Sequence, residues 1–450
     1  MTQSLVFRRL VHGVFLPLLL LLALSLIGAC QKGEEKKTNG TTDDIAPPPD
    51  ALFQKMPSSH TNINFAVEVQ EDFTNNIIRN ANFYNGGGVG VIDVNKDGLQ
   101  DLYFSSTTGR CRLYLNEGNF KFRDITDTAG VAAQEGFKTG VIIADANGDG
   151  WDDIYVCRAG QHPGEHRRNL LFINNGISPS MGGGRGEVTF TESGKAYGVD
   201  DPSASNCANF FDYDLDGDLD LYVVNFPTDF DLAHRMDLKQ LPNGKVVRNT
   251  EPHTEFDSDR LYRNNGNGTF TDVSKQASIR DIGFGLSSLA LDWNGDNYPD
   301  IFVANDYIEP DFLYINNRNG TFTDHADKSF RHQANHTMGT DALDINGDGL
   351  PDLVALDMLA EDYQRRKTLG TIMKTDRYKT LLSYGYGHQM MRNVLQINNS
   401  ANNPGQTPTF SEIGCMAGIF QTDWSWSVLG QDFDHDGWPD LFITNGYRRE

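Results

Sequence analysis

Basic residues are scarce in this chain of 450 residues, because 38 lysines and arginines stand against 61 aspartates and glutamates and leave a formal net charge of −23. So acidic a surface repels a phosphate backbone, which argues against nucleic acid as a partner. Signatures of catalysis are scarce too. The run that ends at His166 lacks the spacing of a zinc protease, and no G-x-S-x-G elbow or phosphate-binding loop occurs in a credible context. The sequence therefore gives little support for an enzyme.

Long hydrophobic runs are missing outside the N-terminus. Residues 14–27 form an apolar stretch after Arg8 and Arg9, and this stretch is short for a membrane span. A positive region followed by a short apolar run is typical of a targeting segment, so we expect a signal peptide over residues 1–29. An ordinary transmembrane anchor is the alternative.

The end of that segment, Ile27-Gly28-Ala29-Cys30, resembles a bacterial lipobox, in which the cysteine is lipidated and becomes the first residue of the mature protein. We therefore expect a lipid anchor to a membrane at Cys30 and a flexible tether over residues 30–60. The acidic residues soon after the cysteine resemble the export tag of Bacteroidetes surface lipoproteins. The expected location is the outer membrane or cell surface of a Gram-negative bacterium.

What the sequence has in abundance is a nine-residue repeat, Asp-x-[Asp/Asn]-x-Asp-[Gly/Asn]-x-x-Asp, in six copies. Oxygen side chains at positions 1, 3, 5 and 9, with the carbonyl of position 7, converge on one hard cation in such loops, and oxygen ligands alone suit calcium. Turns also use Asp and Asn without binding metal, but six matching copies favour metal sites. The expected ligands of up to six structural Ca²⁺ ions are Asp93, Asn95, Asp97, Leu99 and Asp101; Asp145, Asn147, Asp149, Trp151 and Asp153; Asp212, Asp214, Asp216, Asp218 and Asp220; Asp292, Asn294, Asp296, Tyr298 and Asp300; Asp344, Asn346, Asp348, Leu350 and Asp352; and Asp432, Asp434, Asp436, Trp438 and Asp440.

These loops differ from EF-hands, which require a bidentate Glu at position 12 and a helix on each side. Runs such as Leu-Tyr-Phe and Leu-Tyr-Val-Val, which follow loops one and three, are typical of strands. Each loop is therefore predicted to join two strands. Loops three and six, with four Asp each, are expected to bind calcium most tightly. Position 12 is always apolar: Phe104, Val156, Val223, Val303, Ala355 and Ile443.

A second pattern follows each of the first five loops, a strand of the Leu-Tyr-x-Asn-Asn-Gly type and then one of the Phe-Thr-Asp type. Each unit therefore contains strand A, the calcium loop, strand B, a connection, strand C, a tight turn and strand D. Four-stranded antiparallel units repeated around an axis make a β-propeller. We predict an all-β propeller over residues 61–450, with C strands from Leu113, Leu171, Leu261, Leu313 and Leu395, and D strands from Phe122, Phe190, Phe270, Phe322 and Phe410.

The two patterns, recurring in order over roughly residues 82–447, resemble the bacterial FG-GAP/VCBS-repeat family, whose calcium loops match those of the integrin α-subunit propeller. The resemblance extends to lipoproteins related to cartilage acidic protein and to ASPIC/UnbV-domain proteins. It implies seven blades, whereas this chain has six loops and a last blade without strands C and D. We expect the chain to be a fragment of a longer protein, with residues 63–67 as a candidate closing strand.

The largest departures from the repeat fall in the B–C connections. In an up-and-down blade these connections lie opposite the A–B turns, and loops on a rigid scaffold commonly carry function. We therefore expect recognition, if present, on the face opposite the calcium loops. The insertions cover residues 158–169, 226–260, 305–311 and 357–392.

The last insertion is basic, with seven bases against four acids. It also holds four tyrosines, a residue suited to stacking on sugars or to burial in an interface. The alternative is that the aromatic residues fill gaps between blades while the bases form a solvated surface. Residues Asp423, Trp424 and Trp426 are expected near the same face as Tyr363, Tyr378, Tyr384 and Tyr386.

Cysteine is rare after Cys30, and export would place the remaining cysteines in an oxidising compartment. Cys157 follows loop two and Cys207 precedes loop three, while Cys111 and Cys415 lie elsewhere. A disulfide between neighbouring blades and buried free thiols are both open alternatives.

These features together predict an exported, lipid-anchored, calcium-stabilised propeller that binds a protein or a glycan at the cell surface. One alternative is a carbohydrate-active enzyme, because some calcium-bearing propellers of this general type act as polysaccharide lyases; Tyr, His or Arg from the insertions would then supply the base. A purely structural spacer is a third. No catalytic residue is singled out.

Overall fold

The computed structural model describes residues 51–73, 76–78, 83–160, 164–178, 186–369, 374–400 and 404–446. The chain divides into two compact units, Met1–Gln54 and Lys55–Glu450, and the described helices and strands belong to the second. The expected signal peptide, Cys30 and most of the expected tether lie outside the described residues. Every helix within those residues is too short or too polar to cross a membrane.

Antiparallel sheets with the strand order A-B-C-D form the blades, as the alternation of strands and loops predicts. Blade 1 contains β1 (Val89–Ile92), β2 (Asp101–Phe104), β3 (Arg112–Asn116) and β4 (Phe122–Asp124). Blade 2 contains β5 (Phe137–Ala144), β6 (Asp153–Ala159), β7 (Leu170–Ser178) and β8 (Glu187–Glu192). Blade 3 contains β9 (Ser205–Phe211), β10 (Asp220–Asn225), β13 (Arg260–Asn264) and β14 (Phe270–Asp272), and its B–C insertion adds a hairpin of β11 (Leu238–Gln240) and β12 (Val246–Arg248).

The remaining blades continue the series, and the prediction of an all-β propeller architecture is confirmed. Blade 4 contains β15 (Gly285–Leu291), β16 (Asp300–Asn305), β17 (Phe312–Asn316) and β18 (Phe322–Asp324). Blade 5 contains β20 (Thr340–Leu343), β21 (Asp352–Ala355), β23 (Val394–Asn398) and β24 (Phe410–Glu412), with a short parallel pair of β19 (Gln333–Ala334) and β22 (Gln389–Met390) beside it. Among the described residues, blade 6 contains β25 (Ser425–Gln431) and β26 (Asp440–Asn445).

One-turn helices follow the D strands because the acidic residue that ends each strand accepts a hydrogen bond from the first helical N–H. Asp124 accepts from Thr126 at 2.9 Å, and Asp272 from Ser274 at 2.9 Å. These helices are α2 (Thr126–Ala129), α3 (Gly194–Tyr197), α5 (Ser274–Ala277), α6 (Ala326–Ser329) and α9 (Gly414–Ala417). The others are α1 (Ser58–Thr61), α4 (Phe230–His234), α7 (Tyr363–Leu369), α8 (Thr375–Tyr384) and a 3-10 turn at Glu165–Arg167.

The hydrophobic core lies between consecutive blades. Tyr103 of blade 1 packs in one cluster with Ile154 of blade 2, and Leu261 of blade 3 packs with Tyr314 of blade 4. The inner strands β1, β5, β9, β15, β20 and β25 are adjacent in that order. Because neighbouring blades cover both faces of a middle blade, strands β6, β10, β16 and β21 are buried along their whole length. Each large side chain buried there contributes about 1.5–3 kcal/mol.

The first and last blades each keep one exposed apolar face. Val89 and Val91 on β1 are 55% and 54% exposed, and Leu429 on β25 is 52% exposed. The segment at residues 63–67 forms no strand, so its predicted role as a closing strand is wrong. Instead, Phe65 stacks on Phe104 of blade 1 at 4.9 Å.

The four cysteines of the described residues are free thiols. Cys111 and Cys157 are fully buried, and burial raises the pKa of both thiols. The structure therefore favours the free-thiol alternative over a disulfide between blades 2 and 3.

Candidate functional site

The six acidic loops have one geometry because their strands pair in one register. The position 9 Asp always pairs with the residue before position 1, as Asp101 does with Ile92 and Asp300 with Leu291. The carboxylate at position 1 then accepts the N–H groups of positions 5 and 6, at 3.1 and 2.9 Å from Asp93 in loop one. All thirty predicted metal ligands therefore lie in A–B loops at the same end of the blades.

The carboxylates fit a calcium ion best in the two loops with the highest charge. Ligand oxygens of Asp212, Asp214 and Asp216 in loop three lie within 4.8 Å of one another. In the same loop, Oδ1 of Asp214 is buried and accepts no hydrogen bond. Loop six brings together Asp432 and Asp434 with Asp440 in the same way. An orphaned carboxylate oxygen among converging carboxylates is the donor set that a hard cation satisfies.

In blades 1 to 5 the position 9 carboxylate is buried and also holds the blade together. Asp300 accepts the backbone N–H of Trp293 at 3.1 Å and that of Asn316, on strand C, at 2.7 Å. Burial raises the pKa of Asp300 to about 8, although the hydrogen bonds from Asn316 and Trp293 act to lower it. The pKa of Asp101 is raised to about 6 by the same cause. A bound calcium ion would offset the unfavourable burial of this charge.

In blades 2 to 5, an asparagine of the C strand connects neighbouring blades, a role that the sequence alone does not reveal. The Nδ2 group of Asn316 donates to the carbonyl of Tyr213, in loop three of the preceding blade, at 2.8 Å. Asn398 donates to the carbonyl of Trp293, in loop four, at 2.9 Å. Asn174 and Asn264 make the same bond to loops one and two. The recurring first Asn of the Asn-Asn-Gly pattern is the signal for this contact.

Loop four differs from the other loops because an arginine already neutralises one predicted ligand. Arg318 takes the place that glycine has in the turns of blades 1 to 3, and it adopts φ of 60° there. Its Nε and Nη2 groups donate to Oδ2 of Asp296 at 2.9 and 2.7 Å. The guanidinium also lies 5.9 Å from the ring of Tyr298. Asp296 is position 5 of the loop, so this side chain would compete with a bound calcium ion for a carboxylate.

At the opposite end of the blades, the insertions of blades 3, 4 and 5 contact one another and form a layer, here called the insertion platform (residues 226–260, 305–311, 357–369 and 374–392). Arg248 donates to Glu309 at 2.9 Å in a nearly buried ion pair. Burial nevertheless raises the pKa of Glu309 to about 7. The hydroxyl of Tyr386 accepts the N–H of Asp237 at 2.9 Å, which connects the insertions of blades 5 and 3.

The aromatic residues predicted for recognition divide into two groups in the structure. Tyr386 is fully buried and holds the platform together, whereas Tyr363 is 66% exposed. Tyr378 bonds to His388 at 2.6 Å. Asp423 pairs with Arg365 of α7 at 3.2 Å, so the segment before loop six reaches the platform as predicted. The basic insertion thus supplies both structure and exposed surface.

A further group that sequence reasoning missed lies where the platform meets the ends of blades 4 and 5. Asp306 follows β16 and accepts from Nδ1 of His336 at 2.9 Å. The neighbouring Tyr307 has φ of 64°, and its ring lies edge-to-face with His234 at 5.5 Å and with His336 at 6.5 Å. The hydrogen bond and charge of Asp306 raise the pKa of His336, although burial opposes this shift. No repeat pattern marks these positions.

The comparisons with known proteins identify the repeat. Residues 93–156, 247–303 and 292–355 match the FG-GAP-like repeat family, and all but loops three and six fall within these segments. No curated protein sequence matches the chain. Among solved structures, an Agrocybe aegerita lectin, described as recognising non-reducing terminal N-acetylglucosamine, is 13% identical, with 80% of this chain and 85% of the lectin covered. The TM-score between the two structures is 0.31.

Proposed function

We propose that this chain, an FG-GAP repeat protein built of β-propeller blades, is an exported recognition module that calcium stabilises and that binds a protein or a glycan through its insertion platform. The observation that carries the proposal is the contrast between the two ends of the blades. Six near-identical loops at one end build a scaffold, while insertions from three consecutive blades join into one layer at the other. Rigid scaffolds commonly present binding residues in this way.

Calcium has a structural role in this proposal. The thirty predicted ligands lie in loops that join strands A and B, so a bound ion fixes the turn and offsets repulsion between clustered carboxylates. The lipid anchor at Cys30 would hold the module at the outer membrane or cell surface of a Gram-negative bacterium. Labelling with a radioactive fatty acid tests the anchor, and Cys30→Ser is expected to remove the label.

Binding is tested with the whole chain in calcium on a glycan microarray and on a matching array of purified extracellular proteins. We expect binding that the double variant Tyr363→Ala/Lys367→Glu, at two exposed positions of helix α7 of the platform, weakens strongly. The matched control is Lys121→Glu, in the turn between β3 and β4. This turn lies at the end of the blades that carries the six predicted calcium loops, here called the calcium end. The proposal is overturned by an absence of binding on both arrays, or by binding that only the control variant removes.

A second candidate function, a carbohydrate-active enzyme, draws on the His336–Asp306 pair beside Tyr307. A His whose Nδ1 is held by a carboxylate presents Nε2 as a base. Incubation with a panel of polysaccharides, followed by assay of new reducing ends and unsaturated products, separates the two candidates. Turnover that His336→Gln abolishes supports the enzyme, whereas binding without turnover supports the recognition module.

A further inference from the structure

Tyr307 occupies a backbone conformation that a bulky residue rarely adopts. Its φ of 64° lies in the left-handed region, which is unfavourable for such a residue and tends to persist at functional sites. Phe284, His234 and His336 surround its ring edge-to-face at 5.2, 5.5 and 6.5 Å. The ring is still partly exposed. The packing of the ring therefore holds a residue with a strained backbone at the surface.

His336 and Asp306 are fixed beside this ring. The carboxylate of Asp357 accepts the backbone N–H of His336 at 3.2 Å, while Asp306 accepts its Nδ1–H at 2.9 Å. The Nε2 atom of His336 and the Oδ2 atom of Asp306 have no hydrogen-bond partner among the described residues. Their side chains are 21% and 11% exposed. The ring of His336, which can donate a hydrogen bond, and the carboxylate of Asp306, which can accept one, are thus both available to a ligand at one place.

Arg377 adds a positive charge to this group. It lies on the first turn of α8, and its charge lowers the pKa of His336, against the larger effect of Asp306. Arg377 is exposed, and the described part of the chain gives it no carboxylate partner. In a chain with a net charge of −23, an exposed arginine whose charge reaches a histidine is a local attraction for anions.

We infer that Tyr307, His336, Asp306 and Arg377 form a binding site for an acidic carbohydrate, a sugar residue that carries a carboxylate. The inference rests on the proposed function of the insertion platform and names its ligand class. Arg377 and the protonated His336 pair with the sugar carboxylate, and the sugar ring packs against Tyr307. The free oxygen of Asp306 accepts from a sugar hydroxyl. An acidic peptide can also offer carboxylates and N–H donors, but its acidic side chains lack the ring face that a sugar packs against Tyr307.

The test uses isothermal titration of the whole chain, in calcium, with a galacturonic acid trimer and with the methyl ester of the same trimer. The two probes have the same rings and differ in charge. The acid is expected to bind, and the ester at least about tenfold more weakly, as loss of a charge-assisted contact requires. Equal affinity for acid and ester, or no binding of the acid, overturns the inference.

Two variants locate the site. Arg377→Gln is expected to weaken binding of the acid by about tenfold or more, whereas its matched control, Lys379→Gln on the other side of α8, changes it less than about twofold. Tyr307→Asn is expected to fold, because Asn tolerates the left-handed region, and to weaken both probes. Equal effects of Arg377→Gln and Lys379→Gln contradict the site.

Hexaglutamate separates this inference from the proposed function. If hexaglutamate binds as tightly as the trimer and is equally sensitive to Arg377→Gln, the ligand is an acidic peptide and the carbohydrate inference fails while the recognition module stands. If none of these probes binds but the arrays detect platform-dependent binding to another ligand, the inference alone fails. If the arrays also detect nothing, both fail.

Discussion

The two ends of the blades follow different rules. At the calcium end, the same hydrogen bonds recur from loop to loop, as between the carboxylate of Asp93 and the N–H of Asp97 at 3.1 Å and between Asp432 and Asp436 at 3.1 Å. At the insertion end, each contact occurs once, as between Arg248 and Glu309. Repetition therefore supplies the scaffold, and single contacts supply the surface that distinguishes this chain from other proteins with the same repeat.

Removal of calcium is expected to change the stability of the fold more than any other test of this comparison. A ligand that binds only the folded state stabilises it by about 2.7 kcal/mol per site when its concentration is 100 times Kd, so several sites together dominate the stability. Addition of a chelator is expected to lower the Tm strongly, and magnesium is not expected to restore it. A Tm that is the same in calcium and in excess chelator contradicts the assignment of all six loops.

The asparagine contacts between blades give the next largest effect. Asn316→Ala removes the donor to the carbonyls of Tyr213 and Pro299, at 2.8 and 3.1 Å. Leaving these acceptors unpaired is expected to cost about 2–4 kcal/mol of the free energy of unfolding. The matched control is Asn317→Ala, because Asn317 is exposed and bonds only to Thr321 and Thr323 of its own turn. Urea titration of both variants measures the difference, and equal losses would show that the contact between blades is unimportant.

The insertion end is expected to respond to pH through buried carboxyls that calcium does not contact. Burial raises the pKa of Asp311 to about 8, although it accepts hydrogen bonds from Asn305 and Thr337. A carboxyl with a folded pKa above its unfolded value stabilises the fold fully below about pH 4, and this contribution is lost as pH rises to about 8. The loss approaches about 1.4 kcal/mol per pH unit within that window.

Asp311→Asn isolates this contribution, because the amide keeps the shape of the carboxyl and Thr337 can reverse its hydroxyl. The free energy of unfolding is measured at several pH values between about 5 and 8 in excess calcium. The variant is expected to lose less stability than the parent chain over this range. Parallel curves for the two proteins would contradict a titrating Asp311.

The sequence predicts the calcium end far better than the insertion end, and the reason is physical. A loop ligand and the strands beside it are determined by neighbours in the sequence, so the pattern that begins at Asp93 predicts both the turn and its blade. The bond from Asn316 to Tyr213 joins residues of different repeats, so the repeat pattern marks the donor but not the blade that accepts from it. The platform contacts join residues that are even farther apart in the sequence, such as Tyr386 and Asp237. Tyr363 and Tyr386 belong to one insertion, yet one is exposed and the other is buried.

The smallest expected effect lies in loop four, where the repeated loop geometry and a contact that occurs once are found together. Arg318 occupies the left-handed turn position where blade 3 has Gly266, and it holds Asp296 with two hydrogen bonds. Arg318→Gly relieves the backbone strain of a residue with a side chain at φ of 60° and frees a predicted calcium ligand. We expect this variant to raise the calcium affinity of one site only by a few-fold, because an ion pair with an exposed guanidinium is weak.

Calcium titration by calorimetry, with Arg331→Gly as a control away from the loops, measures this change. If Arg318→Gly strengthens one site, the arginine substitutes for part of the ion's charge, and loop four depends less on calcium than its neighbours do. An unchanged titration would show that the carboxylate of Asp296 leaves the guanidinium without loss when calcium binds. All six loops would then bind calcium in the same way, although loop four carries an arginine that the others lack. The contrast between a uniform calcium end and a varied insertion end would be stronger than the side chain of Arg318 suggests.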